Sequence, residues 1–291
     1  MISEDVLAFV QLNPPGIELC RVSNMNEDSS EGVPHVSKLC TLLLPPLKDG
    51  ARTDWAICVG EHPGHQKFSN GPWAEYHRAP PHRQFRISTR NSIVSTMIQI
   101  TGKNGRVRIY DMAVRSATLL AYVTTMDATS GGMSPSPDGD RVVPWVEWGP
   151  QTTSMSDHTH IGWNDLLGER RAMIDASGLR MRIRDYNSYR IWQAGRPVTS
   201  SLLPRRRQGG GESPDPDLDA DQDDAFRRRP TPRIVNKTSS IRAGEWFEDD
   251  VVTALPYVDV VVYIPGCRAI HMQQDQLLLH VDDVSSFVFC H

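Results

Sequence analysis

Nowhere does this chain of 291 residues approach the about 18 consecutive apolar residues of a membrane-spanning helix, so no membrane partner is expected. Its first residues carry Glu4 and Asp5 where a secretory signal would carry positive charge and then an apolar stretch, which points to a soluble, intracellular protein. Strong charge of one sign is missing as well. With 31 basic against 35 acidic residues the net charge is -4, too weak a field to predict a nucleic-acid partner. The five cysteines, Cys20, Cys40, Cys58, Cys267 and Cys290, are odd in number and form no Cys-x-x-Cys pair, which argues against a disulfide framework. No Gly-x-x-x-x-Gly-Lys-[Ser/Thr], Gly-x-Gly-x-x-Gly or Gly-x-Ser-x-Gly motif occurs, so phosphate cradling and a serine nucleophile lack their local signatures.

What is present is an ordinary globular composition, 39% hydrophobic with 21 glycines, in a length that suits one large or two ordinary domains. One segment stands apart. Pro204 to Arg233 has almost no aliphatic residue and carries its charge in blocks: Arg205 to Arg207, then seven acids between Glu212 and Asp224, then Arg227 to Arg229. Such a segment cannot bury enough surface to order itself, so a disordered insertion is expected at 204–233. It divides a β domain spanning 1–203 from the remaining strands of the same domain at 234–291. Asp215, Asp217, Asp219 and Asp221 alternate as in a calcium loop, but Ala220 stands where the loop needs glycine and Phe226 where it needs glutamate.

Elsewhere short alternating runs rich in Val, Ile, Thr, Tyr and Trp are bounded by Gly, Pro, Asn and Asp, the pattern of strands. They include Asp5–Gln11, Ile17–Val22, Ser37–Leu44, Asp54–Gly60, Gln84–Thr89, Ser92–Ile100 and Arg106–Asp111. Thr118–Thr125, Arg141–Trp148, Leu179–Asp185, Tyr189–Gln193, Val258–Ile264, Gln276–Val281 and Ser285–Cys290 continue the series. Lys103-Asn104-Gly105 and Ala176-Ser177-Gly178 supply hairpin turns. A single helix is expected, Glu248–Ala254, with acids in its first turn and Pro256 after it. Arg106-Val-Arg-Ile-Tyr-Asp111 and Arg180-Met-Arg-Ile-Arg-Asp185 share an Arg-x-Arg-Ile-x-Asp core, each behind a glycine-containing turn. Their spacing of 74 residues is near two propeller blades of roughly 40 residues each. Ile109-Tyr110-Asp111 and Ser136-Pro-Asp-Gly139 also resemble the strand end and turn of WD-type blades. The fold class expected is all-β: propeller-like, WD-repeat-like blades of antiparallel strands, incomplete in number, with a β-sandwich as the alternative.

Candidate chemistry is thin. Glu61-His62-Pro63-Gly64-His65 and Asp157-His158-Thr159-His160 each bring two imidazoles together, the basis of an alternative reading as a metal-dependent hydrolase. A helix-borne His-Glu-x-x-His is absent, and no catalytic, cofactor-binding or metal-ligating residue is assigned. Tryptophan, tyrosine and arginine are the better candidates, because they dominate interface hot spots. Trp145, Trp148, Arg184, Tyr186, Tyr189 and Arg190 are accordingly the expected partner-binding residues.

Three ordered motifs carry a resemblance: Val143-Pro-Trp-Val-Glu-Trp-Gly-Pro150, Met181-Arg-Ile-Arg-Asp-Tyr-Asn-Ser-Tyr-Arg190, and Ala243-Gly-Glu-Trp-Phe-Glu-Asp-Asp-Val-Val-Thr-Ala-Leu-Pro-Tyr257. Over roughly Leu39–Tyr257 the chain resembles the C-terminal, β-rich, propeller-like region of uncharacterised fungal F-box proteins. The resemblance implies a protein-recognition module, the substrate-binding part of an adaptor for an SCF-type ubiquitin ligase, with no cofactor and no enzymatic activity. Met1 to Cys40 alternates like strands where the family has its helical F-box, so docking to a Skp-type adaptor is expected only with an F-box upstream.

Overall fold

A computed structural model of the chain describes residues 2–3, 5–23, 35–60, 91–129, 141–157, 160–175, 177, 179–195, 232–264, 266–273, 276–281 and 284–289. The first half runs β1 (Val6–Leu12), β2 (Pro15–Ser23), β3 (His35–Leu43), β4 (Arg52–Gly60), β5 (Ile93–Thr101), β6 (Val107–Arg115), α1 (Ser116–Thr129), β7 (Arg141–Val143), α2 (Trp145–Thr152) and β8 (Thr153–Asp157). There follow β9 (His160–Leu167), β10 (Arg170–Asp175), β11 (Arg180–Asp185), α3 (Ser188–Ala194), β12 (Arg233–Val235), β13 (Ser239–Ile241) and β14 (Val251–Thr253). The last strands are β15 (Tyr257–Tyr263), β16 (Cys267–Gln273), β17 (Gln276–Val281) and β18 (Val284–Phe289).

Strand dominates, and the sheets are antiparallel apart from the parallel pair β3 and β7. No sheet described closes into a barrel. The chain divides into two compact units. The first holds Met1–Thr159, Leu166–Arg170 and Asn236–Pro256, and the second His160–Asp165, Arg171–Val235 and Tyr257–His291.

In the first unit, the four-stranded sheets β1-β2-β3-β7 and β4-β5-β6-β8 share one hydrophobic core, joined by the pair β13-β14. Alternation sets the inward faces. Ile17 and Leu19 point in from β2, Cys40 and Leu42 from β3, Val94, Ile98 and Ile100 from β5, and Tyr110, Met112 and Val114 from β6. Each such aliphatic side chain, fully buried, contributes about 1.5–3 kcal/mol. From α1, Leu119 and Val123 enter the same core four residues apart, one helical turn.

The second unit contains the sheet β12-β15-β11-β10-β9 and the meander β16-β17-β18. Its larger sheet repeats a scheme of the first unit. In β4-β5-β6-β8 a three-stranded meander is followed by a helix, and a later strand then pairs antiparallel with the third strand. In β9-β10-β11-β15 the same order recurs, with α3 in place of α1. The two Arg-x-Arg-Ile-x-Asp segments are the third strands, β6 and β11, and they match in detail. Tyr110 lies opposite Asp157 and Arg184 opposite Asp259, so that Arg108 and Arg182, two residues earlier, reach those aspartates diagonally at 3.1 and 3.4 Å. The sequence repeat is therefore a structural repeat of one sheet module.

Four expectations need correction. Thr118–Thr125 is helix rather than strand. Its β-branched residues suit a strand, but Thr124 and Thr125 donate to the carbonyls of Leu120 and Ala121, and the apolar face packs on the core. Tyr189–Gln193 is also helical, in α3, and of Arg141–Trp148 only Arg141–Val143 is strand, β7, the half from Trp145 belonging to α2. The helix expected at Glu248–Ala254 is instead the strand β14, since Asp250 accepts from the Ala243 N–H (2.8 Å) rather than capping a helix. In each of the three larger sheets the fourth strand arrives after an intervening segment and not by a hairpin, which differs from a meander blade. The expected strand Gln84–Thr89 and nearly all of the insertion 204–233 lie outside the described residues.

Candidate interaction sites

The Val143–Pro150 motif builds the wall of a cavity in the first unit. Pro144 holds an extended backbone (φ -68°, ψ 152°) and turns the chain from β7 into α2. Trp145 and Trp148 then face inward, their rings 5.3 Å apart and nearly perpendicular at 81°. Trp148, 1% exposed, donates its Nε1–H to the carbonyl of Leu43 at 2.7 Å, so its single polar atom is satisfied inside the core. Gly149 lies flat under the Trp145 ring, where a Cβ would fall well inside van der Waals contact. Thr153 closes the turn by donating to the Gly149 carbonyl at 2.7 Å.

The cavity has a volume of about 890 Å³. Pro14, Pro15, Pro45, Pro46, Pro144 and Pro150 contribute to its walls, with Trp145 among them. The Ala243–Tyr257 motif supplies Asp249, Asp250, Val251 and Val252. The Val143–Pro150 and Ala243–Tyr257 motifs thus converge on one cavity. Their separation by about 100 residues of sequence hides this from any local reading.

The third motif forms a surface on the second unit. Asn187 caps α3, its Oδ1 accepting from the N–H groups of Tyr189 (3.0 Å) and Arg190 (3.1 Å). Asp185 Oδ1 in turn accepts from the Asn187 N–H at 2.9 Å. No residue of α3 is buried. Tyr189 and Trp192 are 63% and 51% exposed, with rings 5.5 Å apart. Tyr186 and Tyr257 are buried, their centroids 5.4 Å apart, and the Arg184 guanidinium lies 5.0 Å from the Tyr257 ring centre. Burial raises the Tyr257 phenol above its ordinary value and the Arg184 charge lowers it, with burial the larger effect.

Compared with protein-family models, curated proteins and solved structures, the chain matches none.

Of the six residues expected to contact a partner, Tyr189 and Arg190 are exposed, whereas Trp145, Trp148, Arg184 and Tyr186 are buried. Burial gives Trp148, Arg184 and Tyr186 packing roles, while Trp145, also buried, lines the cavity. Trp192 escapes a strand reading because residues three apart on a strand point to opposite faces, and on a helix they share one. Among the described residues no three His, Cys, Asp or Glu stand together as metal ligands. His62, His65 and His158 lie outside the described residues, and of His160 only the backbone at the start of β9 is described. Burial, with a hydrogen bond to Glu18, pushes the Cys20 thiol up to about 12, and burial pushes Cys40 up to about 11. Neither presents a thiolate at neutral pH.

Proposed function

We propose that this chain is a protein-recognition module that acts by binding, without a cofactor and without chemistry of its own. The observation that carries the reading is the exposed Tyr189–Trp192 pair beside Arg190 on a capped helix. Tyrosine, tryptophan and arginine are the residues that dominate interface energies, and a helix fixed by its cap loses little further freedom when it docks. The scaffold in this reading is propeller-like in its two four-stranded sheets and sandwich-like in the core that they share in the first unit. The resemblance to the C-terminal region of fungal F-box proteins supports one role in particular, the substrate-binding part of an SCF-type ubiquitin ligase adaptor. Among the described residues no helix is long and apolar enough to cross a membrane.

The test is affinity capture from fungal lysate with the tagged native chain and with the double variant Tyr189→Ala/Trp192→Ala. Proteins captured by the native chain are expected to fall by about tenfold or more with the variant, the loss of one strong hot spot. Recovery of a Skp-type adaptor and a cullin supports the ligase role. Capture of the same proteins in the same amounts by both chains overturns the reading.

A further inference from the structure

We propose that the cavity of the first unit binds a basic peptide segment, one that inserts a bulky apolar side chain among the proline rings and sets a neighbouring arginine or lysine against Asp249 and Asp250. This site is separate from the α3 surface of the second unit and does not depend on it.

Size admits such a ligand. About 890 Å³ lies within the roughly 300–1,000 Å³ of ordinary ligand pockets and exceeds what one side chain fills. The apolar surface also runs past the cavity: Leu12, Val146 and Val252, all lining residues, are 41%, 75% and 40% exposed. A small amine would leave that rim uncovered, and an extended peptide covers it.

The polarity of the walls selects the charge. Proline has a carbonyl and no N–H, so six lining prolines bring hydrogen-bond acceptors and no backbone donors. Three of those carbonyls are already used, by the N–H groups of Leu44, Glu248 and Glu147 onto Pro15, Pro46 and Pro144. The lining cation, Arg52, donates its Nε–H to Asp54 Oδ1 at 3.0 Å, so its charge is compensated locally. Asp249 and Asp250 are both exposed at the same cavity, and the Ala243 N–H holds Asp250 Oδ1 in place at 2.8 Å. A phosphate or carboxylate ligand would meet the carboxylates of Asp249 and Asp250 here. A guanidinium or ammonium meets the acceptors it needs, and a neighbouring aliphatic or aromatic residue meets proline rings and the Trp145 edge of the cavity.

A random peptide library is panned against the immobilised native chain, against Asp249→Asn/Asp250→Asn, and against Val146→Arg. Asparagine retains the oxygen that accepts from Ala243, and Val146 is exposed, so both variants are expected to keep the native far-ultraviolet dichroism. Peptides retained by the native chain should pair Arg or Lys with a bulky apolar residue. Their retention should fall by about tenfold in each variant, one charge-assisted contact. It should stay unchanged in Tyr189→Ala/Trp192→Ala, which separates this site from the α3 surface. Acidic or uncharged consensus peptides, no enrichment over bare resin, or equal retention by the charge variants overturns the proposal.

Discussion

At position 149 the Trp145 ring occupies the space that any side chain would need. Gly149→Ala therefore forces the ring outward into the cavity or displaces α2, and overpacking of this kind costs about 1–3 kcal/mol. A lowered urea midpoint at unchanged slope, together with altered tryptophan fluorescence, is the expected outcome. An unchanged midpoint would mean that α2 yields freely. Cys20 and Cys40 offer a second measurement at this scale. Since burial holds their pKa at about 12 and about 11, neither thiol should react with iodoacetamide at pH 8 in the native chain, and both should react in urea. Mass spectrometry of the labelled peptides checks this directly. Native-state labelling would show that this edge of the core opens.

The hairpin of β4 and β5 illustrates the element scale. Its register shifts between Thr53 and Trp55, and Asp54, the residue at the shift, uses its carboxylate to fasten the two strands. Thr101, Arg52 and Gln99 all donate to it, and these bonds hold its pKa below the usual carboxylate value. A depressed folded-state pKa contributes stability that is present above the unfolded value of about 3.9 and is lost as pH falls through the folded value. Asp54→Asn should therefore lower the melting temperature at pH 7, and the difference from the native chain should shrink below about pH 4. A difference constant with pH would remove charge from the account. Elements of this kind are legible in sequence to the extent that their signals are local. Alternation marks β1 to β6 closely, and Gly105 at φ 77° forms the expected hairpin turn between β5 and β6. Helices built from strand-forming residues are not legible. In α1 the core-facing Leu119 and Val123 sit among Leu120 and Tyr122, which blurs the helical spacing. The acids of Glu248–Asp250 imitate a helix start, whereas Asp250 accepts from the backbone of the preceding loop at Ala243 and two of the acids line a cavity. Non-local pairings such as β6 with β8 and β11 with β15 leave no local trace beyond the repeated arginine motif.

Across the whole molecule the repeated sheet module has been filled differently in the two units, and this should set where the chain opens first. In the first unit the module's inner strands are buried almost throughout: Ile93 to Ile98 in β5, and Tyr110 to Val114 in β6. In the second unit β10, the counterpart of β5, is buried from Arg171 to Ile174, but β11, the counterpart of β6, and its partner β15 are partly wet. Only Met181 and Arg184 of β11 are buried, and in β15 burial stops after Tyr257 and Val258, with Val261 and Tyr263 exposed. Both pairs make full ladders, so the number of backbone bonds does not separate them. What differs is the apolar area that local opening would return to water, and at about 25 cal/mol per Å² that difference governs the opening free energy. Native-state hydrogen exchange should therefore find the β5 and β6 amides slowest and those of β11 and β15 faster, although all four strands are flanked on both sides. Core substitution sharpens the test. Ile98→Ala should accelerate β5 and β6 together by removing about 2–5 kcal/mol of shared burial. If β11 and β15 proved as protected as β5 and β6 in the native chain, ladder position would outweigh burial, and the two modules would be equal in stability despite their unequal cores.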